Sequence, residues 1–202
     1  MKDQSRTVIE LNMRIRKLAF LFLACISLGF SSLAISAPVK VSFETNYGNF
    51  VVELYPDKAP KTVANFMQYV HENFYQGTIF HRTIQNFMIQ GGGFTKDMKE
   101  KTTHGPIVNE SRNGLTNEIG TIAMARTDDP NSATSQFFIN VANNIPLNYQ
   151  GEDDESIGYC VFGKVVSGMD VVQKISKLPT RNVGPFADVP VKSVLIQKVS
   201  LQ

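Results

Sequence analysis

The chain of 202 residues has no tryptophan, only two cysteines and only three histidines. Cys25 sits in an N-terminal apolar run, so the body of the protein keeps one thiol, Cys160, and one thiol cannot close an internal disulfide. Cys160 falls in the apolar run Cys160-Val161-Phe162, where it reads as a small buried hydrophobe. His71, His104 and the acidic run Glu152-Asp153-Asp154-Glu155 do not form a metal-ligand pattern, so no metal is expected and the acidic run reads as a solvated loop. There is no Gly-x-Ser-x-Gly elbow and no Cys–His pair at a known spacing, which argues against a hydrolase. A charge excess is missing too. The formal net charge is +2, but Lys2, Arg6, Arg14, Arg16 and Lys17 lie in the first 37 residues with only Asp3 and Glu10, leaving 15 cations against 16 anions elsewhere. A near-neutral body gives no electrostatic case for nucleic acid or for an anionic membrane surface. Gly91-Gly92-Gly93 is not followed by the Lys-Ser/Thr of a phosphate-cradling loop.

Long apolar runs are also lacking. The one at Leu18 to Phe30 is short for a bilayer span, follows Arg14, Arg16 and Lys17, and leads into small residues. This order is that of a secretory signal peptide, so residues 1–37 read as an export segment. Ser32-Leu33-Ala34 satisfies the small-x-small cleavage pattern, with a cut after Ala37 as the alternative, and Met13 offers a second start directly before Arg14-Ile15-Arg16-Lys17. Export implies a periplasmic product with no stable membrane association after cleavage.

Residues 38–202 read as one domain. Val39 to Thr45 and Asn49 to Tyr55 alternate apolar and polar residues around Asn46-Tyr47-Gly48, the pattern of a hairpin in which Gly48 supplies a positive φ. Val63, Phe66, Met67 and Val70 have helical spacing after Asp57 and Pro60, and Val171, Val172, Ile175 and Leu178 mark a second helix ending near Pro179. Six further strands are expected at Thr78–Ile84, Phe87–Gly91, Gly120–Ala125, Gln136–Val141, Cys160–Val165 and Val191–Leu201. Eight strands and two helices without a βαβ rhythm indicate a mainly β fold, a closed eight-stranded antiparallel β-barrel capped by two α-helices. The irregular stretch 94–117 suits surface loops that shape a groove.

The most informative run is Phe80-His81-Arg82-Thr83-Ile84-Gln85-Asn86-Phe87-Met88-Ile89-Gln90-Gly91-Gly92-Gly93. It places one permanent cation near two large apolar side chains and a neutral amide, with no carboxylate or nucleophile between them. Strand alternation sets Arg82 and Ile84 on one face, and Met88 and Gln90 again share a face after a turn at Gln85-Asn86. The glycine triplet permits a sharp bend or a close approach of backbone. A single arginine beside an apolar pocket suits a neutral, bulky group that is gripped rather than cut, which is the problem an X-Pro peptide bond poses.

This run resembles the central motif of the cyclophilins, the cyclosporin-binding class of peptidyl-prolyl cis-trans isomerases. Gly120-Thr121-Ile122-Ala123-Met124-Ala125-Arg126, Ser135-Gln136-Phe137-Phe138-Ile139 and Val161-Phe162-Gly163-Lys164-Val165-Val166-Ser167-Gly168-Met169-Asp170 also resemble cyclophilin signatures, in family order, from about Val39 to the C-terminus. The whole is most similar to bacterial exported cyclophilins. The resemblance implies an isomerase that accelerates rotation about X-Pro bonds during folding of exported proteins, without cofactor, as a monomer, with proline-containing segments of unfolded or flexible chains as partners. A cyclophilin-fold chaperone or peptide-binding module with little catalysis is the alternative; loss of Arg82 or of the pocket aromatics would favour it, and both are present.

By the same resemblance Arg82 is the catalytic residue. Phe87, Met88, Phe138 and Leu147 would form the proline pocket, although apolar residues there could equally be barrel core. Gln90 and Gln136 would bond the substrate backbone and orient Arg82. Ala125 and Arg126 would line the peptide path, Arg126 pairing through its backbone. His81 should face away from Arg82 on its strand and play a structural part. Two positions depart from the family pattern: Pro146 stands where many cyclophilins carry a tryptophan, and Tyr159 where many carry a histidine. Tyr159 can still wall the pocket, whereas Pro146 has no side-chain donor and no broad aromatic face, so cyclosporin should bind more weakly.

Overall fold

Val39–Thr45 (β1) and Gly48–Leu54 (β2) form the expected hairpin, with Gly48 at φ +127° in the turn. Their alternation sends Val41, Phe43, Phe50, Val52 and Leu54 inward, and the opposed pair Phe43 and Phe50 stacks with ring centres 4.7 Å apart. The computed structural model describes residues 39–202, so the expected export segment and its cleavage points lie outside the described residues.

Pro60–His71 is helix α1. Proline suits its first turn, where its missing N–H costs no helical bond. Asp57 does not cap it: the N-cap position is Ala59, without a side-chain hydrogen bond. The free N–H groups of Lys61 and Thr62 donate instead to the Glu110 carboxylate, at 3.2 and 2.8 Å. No local pattern around residue 60 could have shown this long-range cap. The inner face of α1 carries Val63, Phe66, Tyr69 and Val70, and Phe66 lies 5.3–6.2 Å from the rings of Phe43, Phe137 and Phe162 on three strands.

The other elements are Thr78–Ile84 (β3), Met88–Thr95 (β4), Thr121–Met124 (β5), Phe137–Asn140 (β6), Val161–Ser167 (β7), Met169–Ser176 (α2), Thr180–Val183 (β8), Phe186–Pro190 (β9) and Val194–Leu201 (β10). Eight strands close an antiparallel barrel in the order β1-β10-β3-β4-β6-β5-β7-β2. Helix α2 buries Val172 and Ile175 against the barrel.

Three expectations need correction. Phe87 belongs to the turn, and β4 runs four residues beyond Gly91 through the glycine triplet. The triplet therefore serves close approach inside a strand: a Cβ on Gly92, at φ +87°, would lie 2.7 Å from the Phe137 ring. Helix α2 begins at Met169 and ends at Ser176, earlier than the spacing of Val171 to Leu178 indicates. Finally, residues 180–190 form a two-stranded hairpin, β8–β9, separate from the barrel sheet. Its strands are short and largely exposed, so they carry no inward alternation to read.

Candidate active site

Register builds the site. Arg82 on β3 lies opposite Gln90 on β4, Gln90 opposite Phe138 on β6, and Phe138 opposite Ala123 on β5. Directly opposed residues share a sheet face, so these four make a row on the outer wall of the barrel. Their neighbours Ile89, Phe137 and Ile122 belong to the interior cluster. The apolar residues of the outer wall form a second cluster, Met88, Ala123, Phe138 and Val161, against which Ile84, Phe87, Leu115, Ala125, Leu147 and Tyr159 pack. Sequence left Phe87, Met88, Phe138 and Leu147 open between pocket and core. They lie outside the barrel core.

A cavity of about 120 Å³ opens on this wall, lined by Arg82, Phe87, Met88, Gln90, Ala125, Arg126, Phe138, Leu147 and Tyr159. The structure thus brings together nine of the ten residues expected at the site. The tenth, Gln136, stands behind Gln90, whose Nε2 donates to its Oε1 at 3.1 Å. Gly93 makes room for this pair, since a Cβ there would lie 2.5 Å from Gln136 Cγ.

The rim is held by amides that the sequence did not single out. Asn144 donates to the Phe87 carbonyl at 2.8 Å and to Asn140 at 2.6 Å. Asn140 donates to Asn117 at 3.1 Å, and Asn117 donates to the Leu147 carbonyl at 3.0 Å. The Tyr159 N–H donates to the same carbonyl at 2.9 Å. Phe87, Leu147 and Tyr159 are therefore fixed to one another, and the Tyr159 ring meets Phe138 edge-on at 5.6 Å. Buried, fully paired amide networks of this kind give rigidity. Asparagines also suit turns and surface loops, so their meeting was invisible before folding.

Arg126 keeps its backbone N–H and carbonyl without hydrogen bonds among the described residues, next to Ala125, whose N–H is taken by the Gln136 carbonyl at 3.0 Å. An extended peptide could pair there as an added strand. The Arg126 side chain is tied down separately. It donates to the carbonyls of Gly158, Thr127, Asp128 and Asp154 at 2.9–3.3 Å and lies over the Tyr159 ring at 4.8 Å.

Arg82 has a side chain 41% exposed, and its charge is permanent. It faces Asp188 on β9, with Nε 3.8 Å from Oδ2. His81 is buried against Phe94 at 4.7 Å, where a register shift interrupts the β3–β4 pairing, and has its pKa lowered to about 4 by burial and secondarily by the Arg82 charge. The Cys160 thiol is pushed up to about 11, chiefly by burial. No hydrogen bond links His81, Ser135 and Cys160, so they do not form a nucleophile–base pair.

The comparisons agree with this geometry. The family described as cyclophilin-type peptidyl-prolyl cis-trans isomerase matches residues 40–201. The chain belongs to the cyclophilin family. It is 55% identical over 161 residues to peptidyl-prolyl cis-trans isomerase B of Escherichia coli, covering 80% of this chain and 98% of that protein. It is 56% identical over 166 residues to a peptidyl-prolyl cis-trans isomerase of Acinetobacter baylyi, covering 82% and 87%. A cyclophilin-type isomerase from Cryptosporidium parvum superposes with a TM-score of 0.68 at 25% identity, covering 82% of this chain and 98% of that one. Another crystal structure of that protein, determined in the presence of the dipeptide Ala-Pro, gives a TM-score of 0.66 at 26% identity. This cyclophilin is accordingly a peptidyl-prolyl cis-trans isomerase.

Pro146 sits exposed in the short turn Ile145–Leu147 at the rim of the cavity. Pro146→Trp is expected to restore a donor and an aromatic face there, raising cyclosporin affinity about three- to tenfold, as befits one added hydrogen bond. Titration of both proteins with cyclosporin checks this; equal affinities would remove Pro146 from the account.

Proposed function

We propose that this isomerase acts on X-Pro bonds of unfolded or flexible exported chains, as a periplasmic monomer released from its N-terminal segment, with Arg82 as the catalytic residue. The carrying observation is the placement of Arg82 on a cavity whose wall joins the apolar side chains Phe87, Met88, Phe138, Leu147 and Tyr159 to Gln90, Ala125 and Arg126. Amide resonance sets a barrier of about 18–20 kcal/mol to rotation. Catalysis therefore requires tighter binding of the twisted amide than of either planar form. The proline ring is held in the apolar cavity while the chain before it turns. As the amide twists, its nitrogen regains a lone pair, and a guanidinium N–H aimed at that nitrogen stabilises the twisted state most. Gln90, steadied by Gln136, and the free backbone of Arg126 hold the peptide on either side.

No bond is broken and no proton is transferred. Among the described residues no histidine, cysteine or carboxylate lines the cavity. kcat/KM is thus expected to vary little between about pH 6 and 8 and to be unaffected by chelators. A bell-shaped profile, or loss of activity with chelator, would show that a titrating or metal-bound group has been missed. The site assignment is tested by a protease-coupled prolyl peptide assay on the purified chain. The export proposal rests on the charged, apolar and small-residue order around Arg14 to Ala37. N-terminal sequencing of the cell-exported product should give Ile35 or Pro38; an uncleaved, membrane-bound form would defeat it.

A further inference from the structure

The β8–β9 hairpin is not part of the barrel, and a two-stranded hairpin is marginal by itself. It is anchored by Val189, which is buried, and by Phe186, which meets Phe94 edge-on at 5.1 Å. Phe94 in turn packs on His81 of β3. The hairpin is irregular at one place. Arg181 pairs with Val189 and Val183 with Phe186, so Asn182 alone faces both Ala187 and Asp188. Such a bulge re-aims a side chain and is often found beside active sites. Asp188 has φ +58°, a left-handed backbone that aspartate tolerates better than most residues. Its carboxylate is thereby directed at Arg82, Oδ2 standing 3.8 Å from Nε.

We propose that Asp188 is a positioning residue for this isomerase: it draws the Nε edge of the Arg82 guanidinium toward β9 and leaves the terminal nitrogens to face the peptide. None of the Arg82 donors makes a hydrogen bond among the described residues. The side chain is long, and without a partner it samples several rotamers. A carboxylate at Nε selects among them while leaving the terminal Nη donors unpaired. The pair is exposed and open to screening, so its effect is modest. The inference rests on the reading of Arg82 as the catalytic group.

The test is a double-mutant cycle in the prolyl peptide assay at low salt. Asp188→Asn keeps the shape and the backbone tolerance and removes the charge. It should lower kcat about two- to fivefold, the range of an exposed ion pair, with the peptide KM unchanged. Asp188→Gly, which accepts the left-handed backbone without strain, should show the same loss. The gap from the unmodified protein should close near 1 M salt, where the Debye length is about 3 Å. In an Arg82→Ala background the carboxylate has nothing to act through, so the double variant should be as slow as Arg82→Ala alone. Equal additional losses in both backgrounds, a loss seen in KM instead of kcat, or unchanged or faster turnover in Asp188→Asn would each overturn the proposal. High activity in Arg82→Ala itself would instead remove the reading of Arg82, a separate outcome.

Discussion

Arg82→Ala is expected to lower kcat/KM for a prolyl peptide by roughly 10²–10³, the effect of removing one preorganised donor aimed at a developing charge. Folding should be nearly unchanged, because the side chain is 41% exposed and fills no part of the barrel interior. The loss should fall mainly in kcat, since the apolar wall that holds the proline ring remains intact. Arg82→Lys should recover only part of the activity. A lysine keeps the charge but loses the planar fork that can face Asp188 and the substrate together. His81→Gln and Cys160→Ala, on the other hand, should keep much of their activity if they fold, since neither side chain reaches the cavity. Near-full activity in Arg82→Ala would refute the assigned role.

The barrel and the cavity wall were legible in sequence because both depend on alternation. In Phe137-Phe138, period two sends the first ring into the barrel and the second onto the outer wall. At His81 a register shift between Phe80 and Arg82 breaks that rule, and nothing in the sequence marks it. The cyclophilin resemblance added which of the outward residues to group. Where features are set by distant partners, the sequence had no signal. Glu110 caps a helix 48 residues away from it, and Asn117, Asn140 and Asn144 meet only once the chain has folded. Asp188 is another such case. Nothing in Phe186-Ala187-Asp188-Val189 marks it as a neighbour of Arg82. The bulge that aims it is a matter of pairing register, and register in a short exposed hairpin is weakly encoded.

The second large effect expected is on stability in acid. His81 is 5% exposed, its Nδ1 has no hydrogen-bond partner, and Phe94 covers the ring. Burial first, and the nearby Arg82 charge second, lower its pKa from 6.5 to about 4. The unfolded chain therefore takes up the proton before the folded one does. The stability linked to neutral His81 is fully present above about pH 6.5 and is lost as pH falls through about 4. Integrated over that window the loss is about 3 kcal/mol at most. Carboxylates titrate in the lower part of the same range, so the comparison must be a difference: urea midpoints for the unmodified chain and for His81→Gln, followed from about pH 7 to about pH 3.5. The variant cannot take up the proton, and its disadvantage at pH 7 should shrink steadily toward pH 4. Parallel curves across the whole range would mean that His81 is hydrated or paired in solution. The proton-sensitive ring lies under Phe94, whereas the neighbouring Arg82 keeps its charge at every pH of this titration, so the acid loss read in this comparison belongs to the fold and not to the guanidinium.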